Sequence, residues 1–194
     1  MDTEKVDRRV RKTKKQLRLA LTSLMLEKGV SDITVREIAE KADVNRGTFY
    51  AHYKDVNDLL SHLEENVFRR IEEIGVNNDP DQSGGNLYPY LTDILNLVAD
   101  NADIYMALIC RNGDLEFQQQ LMQTLRAQYL LHFLHSYFPS DELLTDYYCS
   151  FIVSGMLAIT KDWLESGMRE TPEQMAQMGG SFIMRGVEYL KKAK

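Results

Sequence analysis

The stretch TVREIAEKADVNRGTFYAHYKD, Thr34 to Asp55, constrains this chain more than any other. It opens as a helix with a capping box: the Thr34 hydroxyl takes one orphan amide, and Glu37 reaches back to another. Ile38, Ala39 and Ala42 recur on one side and can face a core. The pattern stops at DVN, a tight turn, and restarts behind Asn45, a helix cap. The restarted segment, ending near Tyr53, is dense in Arg, Thr, Tyr, His and Lys. Two short helices joined by a tight turn, the second polar and aromatic, make a helix-turn-helix. A major groove admits one helix whose outward side chains hydrogen-bond base edges and phosphates, while its inward side must hold the first helix. Val44 and Phe49 are the expected anchors, with Tyr53 partly so. Arg46, Thr48, Tyr50 and His52 are left outward, and Gly47 lets backbone approach a phosphate or base closely.

Charge supports a polyanion partner only when it is read by region. The net charge is −6. Residues 1–60 carry 13 Lys/Arg against 10 Asp/Glu, whereas residues 61–194 carry 10 against 19. Arg8 to Arg18 holds seven cations and no anion. A basic block on an acidic chain points to an N-terminal part that faces nucleic acid; a solvated helix face is the plainer alternative.

The remainder reads as nearly all helix. The first helix is expected from about Val10 to Lys28, with Leu17, Leu21, Leu24 and Met25 on one face and Gly29 as its stop. Asp55 caps a fourth helix carrying Leu59, Leu60, Leu63, Val67 and Ile71. The turn-rich segment GVNNDPDQSGGN, Gly75 to Asn86, separates two parts. Further helical patterns fall at roughly 87–100, 102–110, 115–137, 141–166 and 172–192, the last opened by TPEQ with a cap, a proline and a capping Gln. The expected division is a helix-turn-helix domain at 1–55, a connecting helix at 56–75 and a second helical domain at 76–194.

The motif ITVREIAEKADVNRGTFYAHYKDVNDLL resembles the DNA-binding region of the TetR/AcrR family of bacterial transcriptional regulators, over about Lys12 to Phe68. SGMLAITKDWLESGM resembles a C-terminal element of the same family. The resemblance implies an all-α, homodimeric regulator with a three-helix reading head and a larger helical domain for a ligand and for dimerisation. By position it implies that Arg36 reaches a base edge, that Thr34 caps near the DNA backbone, and that Arg46, Gly47 and Thr48 lie deepest. Tyr50 and Lys54 then meet phosphates, and His52 lies at the groove edge. Many relatives have Lys where this chain has Val56, so Lys54 or the Arg8–Arg18 block would replace that contact. Alternatives remain: Arg36 can pair with Glu40, and Tyr50 can be a packed aromatic.

No Gly-rich phosphate loop or nucleophile elbow is present, so an enzyme is not expected, nor a cofactor. His132 and His135 are three apart, but no acidic or Cys ligand lies near them in sequence, so no metal site is expected. Cys110 and Cys149 match no metal or redox spacing, and the N-terminus lacks an apolar leader, so a cytoplasmic protein is expected. The apolar run FIVSGMLAIT is too short to span a bilayer. The second domain is rich in aromatics and Met. Tyr88, Tyr105, Met106, Phe117, Met122, Tyr129, Phe133 and Tyr148 are candidates to line a pocket for a small apolar or aromatic effector, with plain core packing as the alternative. A stripe of Tyr148, Ile152, Gly155, Ile159 and Trp163, with Met178, Phe182, Gly186 and Leu190 on the last helix, is the expected dimer interface. Two reading heads so held imply a palindromic double-stranded operator and a ligand-responsive repressor. A helical domain that binds a protein partner, in an activator, is the rival reading.

Overall fold

In the computed structural model the backbone is described for residues 2–82, 84–110, 115–137 and 141–192, and the side chains for 8–82, 84–110, 115–127, 129–136 and 141–185. Among the described residues there are ten α-helices and no strand: α1 (Asp2–Met25), α2 (Val35–Lys41), α3 (Arg46–Tyr50), α4 (Val56–Asn77), α5 (Tyr88–Ala99), α6 (Ala102–Tyr105), α7 (Leu115–Leu125), α8 (Leu131–Tyr137), α9 (Glu142–Glu165) and α10 (Pro172–Lys192). Met106–Cys110 and Arg126–Leu130 are π-helical. The second of these joins α7 to α8, so the single helix expected at 115–137 is one rod with a π-helical middle. α1 starts eight residues before the expected Val10. Its first turns carry Asp2, Glu4 and Asp7, and negative charge suits a helix N-terminus.

Packing divides the chain into two units, Met1–Val67 with Asp103–Asp114, and Phe68–Ala102 with Leu115–Lys194. In the first, α1, α2, α3 and the start of α4 enclose Leu17, Leu21, Ile38, Phe49, Leu59 and Leu63, all fully buried. Two ion pairs clip α2 to the end of α1: Lys28 Nζ to Glu37 Oε1 at 2.7 Å and Lys41 Nζ to Glu27 Oε1 at 2.8 Å. Ala107, Leu108, Ile109 and Cys110 of the π-helical segment are buried, and that segment packs on α1.

In the second unit α5 lies along α10. Close approach is bought by Gly179 and Gly180. A Cβ at Gly179 would stand 2.6 Å from Met156 Cε, and one at Gly180 would stand 2.8 Å from Tyr88 Cε1. Both glycines are helical and α10 runs through them unbroken, so MGG is a packing device here rather than a helix stop. α9 ends in a Schellman motif, with Met168 N–H donating to Trp163 C=O and Gly167 N–H to Leu164 C=O. The expected box then opens α10: Thr171 N–H donates to Gln174 Oε1 and Gln174 N–H to the Thr171 hydroxyl. α9 is longer than the apolar run within it, and by length and hydropathy alone it could cross a membrane. Its Thr145, Cys149, Ile152, Val153, Thr160, Trp163 and Leu164 are instead buried in protein.

Candidate nucleic-acid interface

The cap of α2 forms as its sequence requires. The Thr34 hydroxyl accepts from Glu37 N–H at 3.3 Å, and Glu37 Oε2 accepts from Thr34 N–H at 3.0 Å. With Lys28 and the Thr34 donors on it, the Glu37 carboxyl is held down at about 2, from an ordinary 4.5. The turn that follows places Asp43 at φ 53°, a left-handed conformation that Asp tolerates better than most residues. Asn45 caps α3: its Oδ1 accepts from Thr48 N–H at 2.7 Å and from the Thr48 hydroxyl at 3.0 Å.

The anticipated division holds for Phe49 and Tyr53 against Arg46 and Tyr50, whereas Val44, Thr48 and His52 are alike in burial. Phe49 is fully buried and Tyr53 nearly so, while Val44 is half-buried. Arg46 and Gly47 are exposed, Thr48 and His52 half-buried, and Tyr50 is 58% exposed. The Tyr50 ring meets the edge of Phe49 at 5.6 Å between centroids, so the buried ring steadies the exposed one. A Cβ at Gly47 would lie 3.2 Å from Asn45 Oδ1, crowding the cap. Lys54 is exposed, with its backbone N–H fixed on Asp58 at 2.8 Å. Arg36 pairs through Nε with Glu40 at 2.7 Å on the exposed side of α2. That is the plainer of its two expected roles, although an exposed pair is weak enough for a base edge to displace. The cations Arg8, Arg9, Arg11, Lys12 and Lys15 of α1 are exposed as well.

The other expected residues fall out differently. Tyr105 and Met106 group with the first unit, while Phe117, Met122, Tyr129, Phe133 and Tyr148 belong to the second. The eight are thus divided between the two units. Tyr88 packs its ring over Gly180, and the Tyr148 hydroxyl donates to Ile183 C=O. Two residues of the expected interface stripe are turned inward. Ile152 and Trp163 are buried in their own unit, and the Trp163 indole N–H donates to Glu170 C=O at 3.0 Å. Ile159 is half-buried. Gly155 is exposed, and the outward face of α9 carries Leu143, Tyr147, Phe151 (71% exposed) and Ala158 beside it. On α10, Met178 and Phe182 are exposed as expected, whereas the side chains of Gly186 and Leu190 lie outside the described residues. Acidic neighbours of His132, which the linear sequence hides, come from Asp79 and Asp81. The three offer ligand atoms within 4.8 Å of one another, and an exposed His132–Asp81 pair at 3.4 Å accounts for the arrangement.

A capped, two-helix element with a buried anchor and an outward Arg, Tyr and Gly face defines a helix-turn-helix transcriptional regulator. The sequence pattern described as bacterial regulatory proteins of the tetR family matches residues 17–63, and the TetR-type pattern described as a transcriptional regulator C-terminal region matches residues 85–185. The chain belongs to the TetR family. It is 36% identical over 56 residues to the uncharacterized HTH-type transcriptional regulator YxbF of Bacillus subtilis; this stretch is 27% of this chain and only 15% of YxbF. A TetR transcriptional regulator from Streptococcus agalactiae superposes with a TM-score of 0.65 at 25% identity, over 93% of this chain and 98% of that one. NalD, the secondary repressor of the MexAB-OprM multidrug efflux pump of Pseudomonas aeruginosa, shares the fold at 0.63 and 22% identity, over 91% and 96%. So does Bacillus subtilis FadR in complex with stearoyl-CoA, at 0.62 and 18%, over 87% and 96%.

Proposed function

We propose that this chain is a cytoplasmic repressor that binds a palindromic operator as a homodimer and leaves it when a small apolar or aromatic molecule enters the helical unit. The observation that carries the DNA reading is the outward face of α3, where Arg46 and Tyr50 project from a helix fixed by Phe49 and Asn45. Arg46, Gly47 and Thr48 read the groove. Arg36 joins them by leaving Glu40, His52 lies at the groove edge, and Thr34, Tyr50 and Lys54 meet the flanking backbone. Support for the dimer comes from Leu143, Tyr147, Phe151, Met178 and Phe182, large apolar side chains gathered on the outward faces of two long helices. FadR, which shares the fold, is in complex with stearoyl-CoA, and this supports a small-molecule effector here. The mechanism is a population shift: the effector favours a conformation whose two heads do not match the operator spacing. The activator reading has its own support in DhaS, an operon activator that shares the fold with a TM-score of 0.61. Selection of bound DNA from a random pool tests the proposal. Enrichment of an inverted repeat is expected; an asymmetric site or no enrichment would overturn it.

A further inference from the structure

Most polar atoms inside the helical unit are matched, which makes one exception informative. The Tyr129 hydroxyl donates to Asn86 C=O at 3.2 Å, and the Tyr148 hydroxyl donates to Ile183 C=O. Tyr90, on α5, is buried like Tyr129, yet its hydroxyl has no partner among the described residues. Its ring is held firmly. It stacks on Tyr129 at 4.1 Å and 10°, and Tyr129 stacks in turn on Phe133 at 5.9 Å and 21°. Tyr129 lies in the π-helical segment Arg126–Leu130, and single π turns in helices recur at functional sites. Phe in place of Tyr90 would keep the stack and avoid stranding a donor, so the hydroxyl is unexplained by packing.

We propose that the Tyr90 hydroxyl is the polar anchor of a ligand subsite beside the Tyr90–Tyr129–Phe133 stack, and that it takes a flat, mainly apolar molecule bearing a neutral carbonyl oxygen. The ligand must offer an acceptor, because burial raises the Tyr90 hydroxyl above its ordinary range and keeps it a donor at neutral pH. A neutral oxygen suits the site better than a carboxylate, whose charge would be costly to desolvate here. The aromatic faces favour a planar body. The inference rests on the reading of this unit as the effector-binding one.

The test uses the full chain and a pair of probes of one shape: acetophenone, and α-methylstyrene, in which a CH2 replaces the carbonyl oxygen. Without probe, Tyr90→Phe should raise the melting temperature by about 2–4 °C, because the stranded hydroxyl is gone. Titration calorimetry should show acetophenone binding the unsubstituted chain about tenfold more tightly than α-methylstyrene, and the two probes binding Tyr90→Phe equally. A lower melting temperature for Tyr90→Phe would overturn the proposal, since it would mean that the hydroxyl is already satisfied. So would equal binding of the two probes by the unsubstituted chain, or binding of neither. Operator affinity, measured with and without acetophenone, separates the two readings. A probe that needs the Tyr90 hydroxyl yet leaves operator affinity unchanged would keep the subsite and sink the effector role.

Discussion

The reading head and the helical unit each leave a face uncovered, and the faces differ in chemistry. On the head, a fully buried Phe49 stands behind an outward Arg46 and Tyr50, with exposed cations on α1. On the helical unit, the buried residues Cys149, Ile152 and Trp163 stand behind an outward Leu143, Tyr147 and Phe151. A cationic, hydrogen-bonding face gains little from a second protein core but much from phosphates, and an apolar face the reverse. In both regions the buried side is ordinary. The side left bare indicates the partner.

That contrast can be broken at its largest effect first. Tyr147→Glu with Phe151→Glu should dissociate the proposed dimer in sedimentation and lower operator affinity by about 10²–10⁴-fold, since the second head would lose its effective concentration. A double variant that stays dimeric would move the interface elsewhere. Phe49→Ala comes next: a cavity under α3 should cost the head roughly 3–5 kcal/mol in thermal or denaturant melting. Arg46→Ala should leave melting unchanged and weaken operator binding by about 1–3 kcal/mol, with relaxed discrimination at one base pair. If Arg46→Ala lowers melting while Phe49→Ala does not, the two faces of α3 are assigned in reverse. The smallest effect is a pH dependence confined to the head. The Glu37 carboxyl is depressed in the folded chain, from 4.5 to about 2. Its contribution is therefore complete above pH 4.5 and fades as pH falls towards 2. Glu37→Gln should flatten the acid side of the melting profile; an unchanged slope would show that Lys28 and Thr34 do not favour the carboxylate.

Local signals made the head legible. The Thr34 box, the Asn45 cap and the alternation of Phe49 with Tyr50 involve residues within a few positions of one another, and each geometry appears as its sequence requires. Helix limits beyond the head were legible for the same reason, as at Thr171 and Gln174. The phase of α9 was not. Apolar residues surround much of that helix, from Leu143 and Tyr147 on one side to Cys149, Ile152 and Val153 on another, so spacing alone selects no face. Contacts over long separations were hidden too. Asp81 with His132, and Tyr90 with Tyr129, join residues whose proximity only the packed helices create. Asp103–Cys110 looks in sequence like part of the second domain, and only its packing against α1 groups it with the first.

The π-helical segment Arg126–Leu130 amounts to one surplus residue lodged in a continuous helix. An α-helix turns about 100° per residue. A uniform α-helix of the same length would turn everything after the segment by about that angle; the wide turn absorbs the extra residue instead, so Leu130, Phe133 and Leu134 stay buried and His132 and His135 stay exposed. Deleting one residue from 126–130 would therefore give a smoother rod and leave the azimuth of α8 nearly unchanged. Two homologous sequences could differ by one inserted or missing position in this rod and still turn the same side chains inward.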